Sequence, residues 1–303
     1  MGSDNGERTV QDRGGEKRVK TAVQQIMLGK VCTGMDKAAE ALNTVKKAGY
    51  DGIELNRFMI HPSPLVVRIL TKAAGMPTGK SGNLDWVTLI RDSGLEVTAL
   101  HIDLGSLEKD FGSVTADAER FGTDRIVITG MYRFDYRDRN AVAELADRLN
   151  KAGKQLKENG MQLYYHNHNA EMQRVSDNER AMDVLLSRTD PDAVRFELDT
   201  YWIAESGADP LEWMEKTGGR MGMWHVTDRG TRLSKAPMTP MLSSDSVEVG
   251  YGNMPLGKLA EQADRSGVDV MVLETHRNWA EGSPLRSIEL SAPAMMELSG
   301  KNR

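Results

Sequence analysis

Short apolar runs alternate along this chain with longer amphipathic stretches. The runs Val23–Leu28, Gly52–Leu55, Glu96–Leu100, Arg125–Thr129, Gln162–Tyr165, Val194–Leu198, Met221–Trp224 and Val268–Leu273 have strand length and predict eight strands. Between them lie DKAAEALNTVKKAGY, VAELADRLNKAGKQLKENG and LGKLAEQADRSG. Their apolar positions recur at helical spacing, and a glycine at or near the end of each marks a helix stop. A strand–helix unit repeated eight times predicts a (β/α)8 barrel, a fold of typically about 250 residues. The competing architecture, an open doubly wound sheet, would carry a glycine-rich phosphate turn after its first strand. The text there is GKVCTGMD, which has neither form of that turn.

Two connections are longer than the rest. Asn56–Asp85 follows the second strand and Asp228–Asn253 the seventh, so both are expected to lie over the C-terminal face of the barrel. Residues 1–20, rich in Gly, Asp, Glu, Lys and Arg, read as a flexible tail, leaving 21–303 as one barrel domain.

The charge balance narrows the partners. A net charge of −5 gives a phosphate backbone no basic surface to bind, so no nucleic-acid partner is expected. No apolar run approaches the roughly 20 residues that cross a bilayer, and the first twenty residues lack a signal-peptide core. With Cys32 as the single cysteine, a reducing, cytoplasmic setting is expected. Cys32 itself reads as a small buried hydrophobe.

All six histidines fall at or just beyond the end of a predicted strand: His61, His101, His166, His168, His225 and His276. A barrel gathers those ends on one mouth, where Lys30, Glu54, Asp199, Asp228, Arg229 and Glu274 also arrive. His166, Asp199, His225 and Glu274 come from strands five to eight. Two imidazoles and two carboxylates make a mixed nitrogen and oxygen set suited to one divalent ion, Mn²⁺ first, with Mg²⁺, Co²⁺, Fe²⁺ or Zn²⁺ also compatible. Each residue has a plainer reading as well. Asp199 is placed to cap the next helix, Glu274 to pair with Arg277, and Arg229 to pair with Asp228. Trp202, Trp224 and Trp279 near the same ends would line a sugar pocket or simply pack.

The segments YHNHNAE, ELDTYWIAESGADP, GRMGMWHVTD, VGYGN and VLETHRNW resemble, in order, motifs of the xylose isomerase-like TIM-barrel superfamily. That group includes sugar and sugar phosphate isomerases and epimerases, inosose and dehydroshikimate dehydratases, and apurinic endonucleases. The resemblance runs from about Val23 to the C-terminus. It implies one divalent metal held by Glu, Asp, His and Glu, here Asp199, His225 and Glu274. The first ligand departs from the pattern, because His166 of HNH stands where the family has the Glu of ENH. The segment NRFMIHPSP…TKAAGMPTGKSGNLDW and the ending ETHRNW are further similar to the catalytic subunit of bacterial C-glycoside deglycosidases. That likeness implies a 3-oxo-glycoside substrate, a small β-rich partner subunit and an oligomeric assembly.

Superfamily and subfamily share one step, removal of a proton from a carbon beside a carbonyl. A histidine, with an ordinary pKa of about 6.5, is matched to a base at neutral pH, and His168 beside the metal is the expected one, or His166 if the metal does without it. Glu54, His101 and Glu171 are candidates for binding hydroxyls or shuttling the proton, and Arg229 for orienting an anionic intermediate. Expelling an aglycone needs a second acid, for which His101 and His276 are both candidates.

Overall fold

The computed structural model describes residues 19–62, 80–233 and 236–300. Its centre is a closed barrel of eight parallel strands: β1 (Lys20–Gln24), β2 (Gly52–Asn56), β3 (Glu96–Ile102), β4 (Arg125–Thr129), β5 (Gln162–His166), β6 (Val194–Asp199), β7 (Met221–Val226) and β10 (Val270–Leu273). Neighbours in sequence are neighbours in the barrel, and β10 closes it by pairing Lys20 to Val23 of β1 with Val270 to Leu273. This is the (β/α)8 fold expected from the pattern.

The helices stop and start where local chemistry requires. Gly94, Gly122 and Gly267 end theirs with positive φ, a conformation that favours glycine. Asp138 caps Arg139–Glu158 by accepting from the backbone N–H groups of Asn140 and Ala141. That helix buries Val142, Leu145, Leu149 and Leu156 against the barrel. Each such side chain contributes about 2 kcal/mol by leaving water.

Side chains alternate along the strands, and the two faces have different fates. Outward residues join the large core shared with the helices. Inward residues Ala22, Ala99, Val127, Tyr164, Met223, Val270 and Val272 form a separate small core inside the cylinder. Large Tyr164 and Met223 are offset by small Ala22 and Ala99, so the interior is filled, not hollow. At the N-terminal end Arg125 meets Asp269 through two parallel contacts of 3.0 and 2.8 Å.

Two strand starts are corrected. The first strand is Lys20–Gln24, not Val23–Leu28, because Gln25–Leu28 is a turn of 3-10 helix held by the Gln24 side chain accepting from the Ile26 N–H at 2.7 Å. The last strand begins at Val270, two residues later than expected. The long connection after β7 is not irregular throughout, since β8 (Asp228–Gly230) and β9 (Asp245–Val247) pair antiparallel within it. The connection after β2 is described only at its two ends, and the proposed tail lies outside the described residues to position 18. No helix among the described residues is long and apolar enough to cross a membrane.

Candidate active site

Parity along the strands builds the site. Val127 and Tyr164 point inward, and so do the residues two further on. On β5 that is His166, 2 % exposed; on β6 both Glu197 and Asp199 face the interior, 0 % exposed. His225 of β7 and Glu274, just past β10, complete the ring. One donor atom from each of His166, Asp199, His225 and Glu274 lies within 4.8 Å of all the others. The four residues singled out in the sequence as a ligand set therefore converge.

Their electrostatics reflect that crowding. Burial pushes the Asp199 carboxyl up to about 7. Burial would lift Glu274 too, but the imidazoles of His276 and His225 hold it well below the usual carboxylate range. Burial would lower His225, yet Glu197, Glu54 and Glu274 raise it well above the ordinary imidazole value. Burial and the neighbouring His225 pull His166 down to about 4. Two donors in the set are buried without a hydrogen-bond partner, His166 Nδ1 and Asp199 Oδ2. His166 Nδ1 lies 3.4 Å from Glu197 Oε2. Buried acceptors are rarely left so, and both fit a cation held between them.

The plainer reading of Asp199 also holds, through its other oxygen. Oδ1 accepts from the Trp202 N–H at 3.0 Å and caps Thr200–Glu205, while Oδ2 stays free for the cluster. Asn167 grips the Asp199 backbone from both sides, its Oδ1 accepting from the N–H and its Nδ2 donating to the C=O. The partner anticipated for Glu274, Arg277, pairs with Asp245. Glu274 Oε2 stands 2.9 Å from His225 Nδ1.

His168 stands beside this set, its ring centroid 5.0 Å from that of His166 and 5.8 Å from that of Trp202. Burial, then His166, lowers its imidazole to about 4. Its backbone N–H donates to Glu171 Oε2 at 3.0 Å, and Glu171 Oε1 accepts from the Tyr165 hydroxyl at 2.7 Å. The Tyr165 and Tyr136 hydroxyls are 3.0 Å apart, which ties this loop to the one after β4. Gly130 belongs to the same packing, since a Cβ there would lie 3.1 Å from His168 Nδ1 and 3.0 Å from Glu171 Oε1. On the far side the His276 ring lies tilted against Trp202 with centroids 4.7 Å apart, and its Nε2 is buried without a partner 3.9 Å from Glu274 Oε2.

The remaining nominees are placed differently. Glu54 and His101 are enclosed deeper in the barrel with Glu197 and His225. Arg229 is engaged elsewhere: its Nε pairs with Glu205 Oε2 at 2.8 Å, and not with the Asp228 carboxylate. His61 leaves the constellation as well, its Nε2 lying 2.7 Å from Asp117 Oδ2. Trp224 is a packing residue, fully buried with its indole N–H donating to Thr200 Oγ1. Cys32 is buried, and burial pushes its thiol up to about 12, so no thiolate is present at neutral pH. Sequence reasoning missed Glu197. The available signal was its spacing of two from Asp199, which puts both carboxylates on the same face of one strand.

Fold and site together define a (β/α)8 barrel with a carboxylate–imidazole centre at the C-terminal ends of its strands. The chain belongs to the xylose isomerase-like TIM barrel family, whose pattern matches residues 42–293. It is similar to an inosose dehydratase of Clostridium botulinum, 25% identical over 71% of this chain and 72% of that protein. A second inosose dehydratase, from Clostridium beijerinckii, is 31% identical, but over only 37% of each chain. Among solved structures, a sugar phosphate isomerase/epimerase from Parabacteroides distasonis superposes with a TM-score of 0.70 at 20% identity, covering 95% of this chain and 96% of that one. The IolI protein, solved with a bound zinc atom, gives a TM-score of 0.63 at 14% identity, with 93% and 98% covered.

Proposed function

We propose that this protein is a divalent-metal-dependent lyase acting on a cyclic polyhydroxylated ketone. It removes the proton beside the carbonyl and expels a group from the next carbon. The observation that carries this reading is the convergence of His166, Asp199, His225 and Glu274 with an imidazole, His168, beside them and uncommitted. Held by those four residues, a divalent cation would supply Lewis acidity toward the ketone and the enolate charge, worth several kcal/mol. Mn²⁺ is our first choice of ion, with zinc, as in the IolI structure, the main competitor.

The protein's own groups do the rest. Burial and His166 lower the His168 imidazole to about 4, so a ring nitrogen is open to the carbon-bound proton at pH 7 but is a weaker base than an ordinary imidazole. The Glu171 contact to its backbone N–H holds the loop that carries the ring. Trp202 forms a flat wall between His168 and His276, suited to a ring face and to keeping water out. Of the two imidazoles considered for protonating the departing group, His101 is enclosed by Glu54 and Glu197. His276, at the mouth with a free nitrogen, takes the role.

Similarity to inosose dehydratases favours water as the departing group. Expulsion of an aglycone from a 3-oxo-C-glycoside begins with the same proton removal and is the alternative. The test is turnover and solvent-deuterium incorporation, with and without chelator, on an inosose, a 3-oxo-C-glycoside and a ketose phosphate. Chelator-sensitive loss of water from the inosose is expected. Turnover that survives metal removal, or deuterium incorporation into none of the three, overturns the reading.

A further inference from the structure

Beneath the donors of the mouth, a second set of four closes on itself. Glu54 of β2, His101 of β3, Glu197 of β6 and His225 of β7 are at most 5 % exposed, and one donor atom from each lies within 4.8 Å of the rest. His101 Nε2 stands 2.9 Å from Glu197 Oε2 and 3.0 Å from Glu54 Oε2. His225 Nε2 stands 2.7 Å from Glu54 Oε2 and 3.2 Å from Glu197 Oε2. Each of these nitrogens thus faces two carboxylate oxygens, Glu54 Oε2 faces both nitrogens, and Glu197 Oε2 faces both and also His166 Nδ1 at 3.4 Å. An imidazole nitrogen carries at most one proton, so two protons cannot make four good hydrogen bonds.

Charge counting points the same way. Four buried carboxylates, Glu54, Glu197, Asp199 and Glu274, share this interior, and among the described residues none is paired with a lysine or arginine. Glu54 Oε1 and Glu197 Oε1 are in addition buried without any partner. One divalent ion in the outer set offsets two of the four charges. Only the imidazoles of His101 and His225 stand against the other two, Glu54 and Glu197, in a place where unbalanced charge is strongly disfavoured.

We propose that the barrel holds a second divalent cation in this inner cage, bound by Nε2 of His101 and His225 and one oxygen each of Glu54 and Glu197. Two nitrogens and two oxygens with no exposed position form a closed, four-coordinate set, which suits zinc. The N···O edges of 2.7 to 3.2 Å are slightly shorter than the roughly 3.3 Å edges of a tetrahedron with ~2.0 Å bonds. Seating the ion therefore needs only a small spreading of side chains. His225 joins the two sites, since its Nδ1 faces Glu274 and Asp199 while its Nε2 faces the cage. With both sites filled it bridges them as an imidazolate, its ring proton having gone to solvent. The inner ion touches no substrate and holds the ligand His225 in place, so the inference does not depend on the proposed reaction.

The test is metal content of the full chain after chelation and reconstitution with zinc alone, for the unaltered protein, His101→Gln, Glu197→Gln and Asp199→Asn. Two equivalents are expected for the unaltered protein and one for each variant. Cobalt substitution should give the intense visible band of a tetrahedral site in the unaltered protein and in Asp199→Asn, but not in His101→Gln. A single equivalent that His101→Gln and Glu197→Gln both retain overturns the inner site and leaves the outer one standing. A single equivalent lost in Glu197→Gln but kept in Asp199→Asn upholds the cage and overturns the outer site. Thermal melts identify a variant that fails to fold, and the second cage variant then decides.

Discussion

His168 and Gly130 separate what the site binds from what it does. His168 is not in the convergent donor set, so His168→Ala should leave ion content unchanged while lowering kcat roughly a thousandfold, the usual order for a lost general base. Metal analysis beside steady-state kinetics checks both halves, and near-normal turnover would remove His168 as the base. Glu274→Ala, by contrast, should lose the outer ion and activity together, because Glu274 belongs to that donor set. Gly130 makes a finer probe. An added methyl would press on His168 Nδ1 at 3.1 Å and Glu171 Oε1 at 3.0 Å without touching the donor set. Gly130→Ala is expected to lower kcat about tenfold, the kind of loss that a displaced catalytic group produces. Unchanged kcat would show that the His168 loop yields freely.

The β8–β9 hairpin hangs on one carboxylate. Asp228, 2 % exposed, accepts from the backbone N–H groups of Arg229, Gly250, Gly252 and Met254 at 2.8 to 3.1 Å. Gly252 passes so close that a Cβ would sit 2.3 Å from Asp228 Oδ1. Asp228→Ala orphans those donors and should cost about 3 kcal/mol, a fall of roughly 6 °C in melting midpoint for a chain of this size. An unchanged midpoint would mean that water replaces the carboxylate without penalty. The hairpin was not legible in the sequence, because DRG and DSV are three residues each and have poor strand propensity. The barrel strands were legible because they are buried on both faces and read as apolar runs. The first one was misplaced because its start, Lys20 and Thr21, is polar while the apolar IML that follows is 3-10 helix. The ligand set was legible as strand-end residues. Glu54, His101 and Glu197 were not recognised as a cage, because their meeting depends on how far each inward position lies along the barrel axis. The register shift of β2 against β3, where Ile53 pairs with Val97 but Glu54 with Ala99, has no mark in the sequence.

The closed cylinder makes the buried charges a collective property, and this fixes how metal, protons and stability are linked. Without a cation, protons must offset the carboxylates. Burial opposes a charged His225, but Glu197, Glu54 and Glu274 outweigh it and keep the ring protonated, while burial holds Asp199 near 7. A ligand must be deprotonated, so uptake of a divalent ion at neutral pH has to release protons. The sign follows: both groups titrate higher in the metal-free protein than in the bound state, so apparent affinity should rise from pH 6 to pH 8. Titration calorimetry in two buffers of different ionisation enthalpy measures the release directly. Heats that do not depend on the buffer would mean that the cluster is already deprotonated without metal, contrary to this account. Because the ion binds the folded chain, a free concentration about 1,000 times Kd stabilises by about 4 kcal/mol. Chelation should accordingly lower the melting midpoint by roughly 8 °C and abolish turnover, with both restored by the ion. If turnover is lost but the midpoint does not move, the ion is bound at an exposed position and the barrel interior does not hold it.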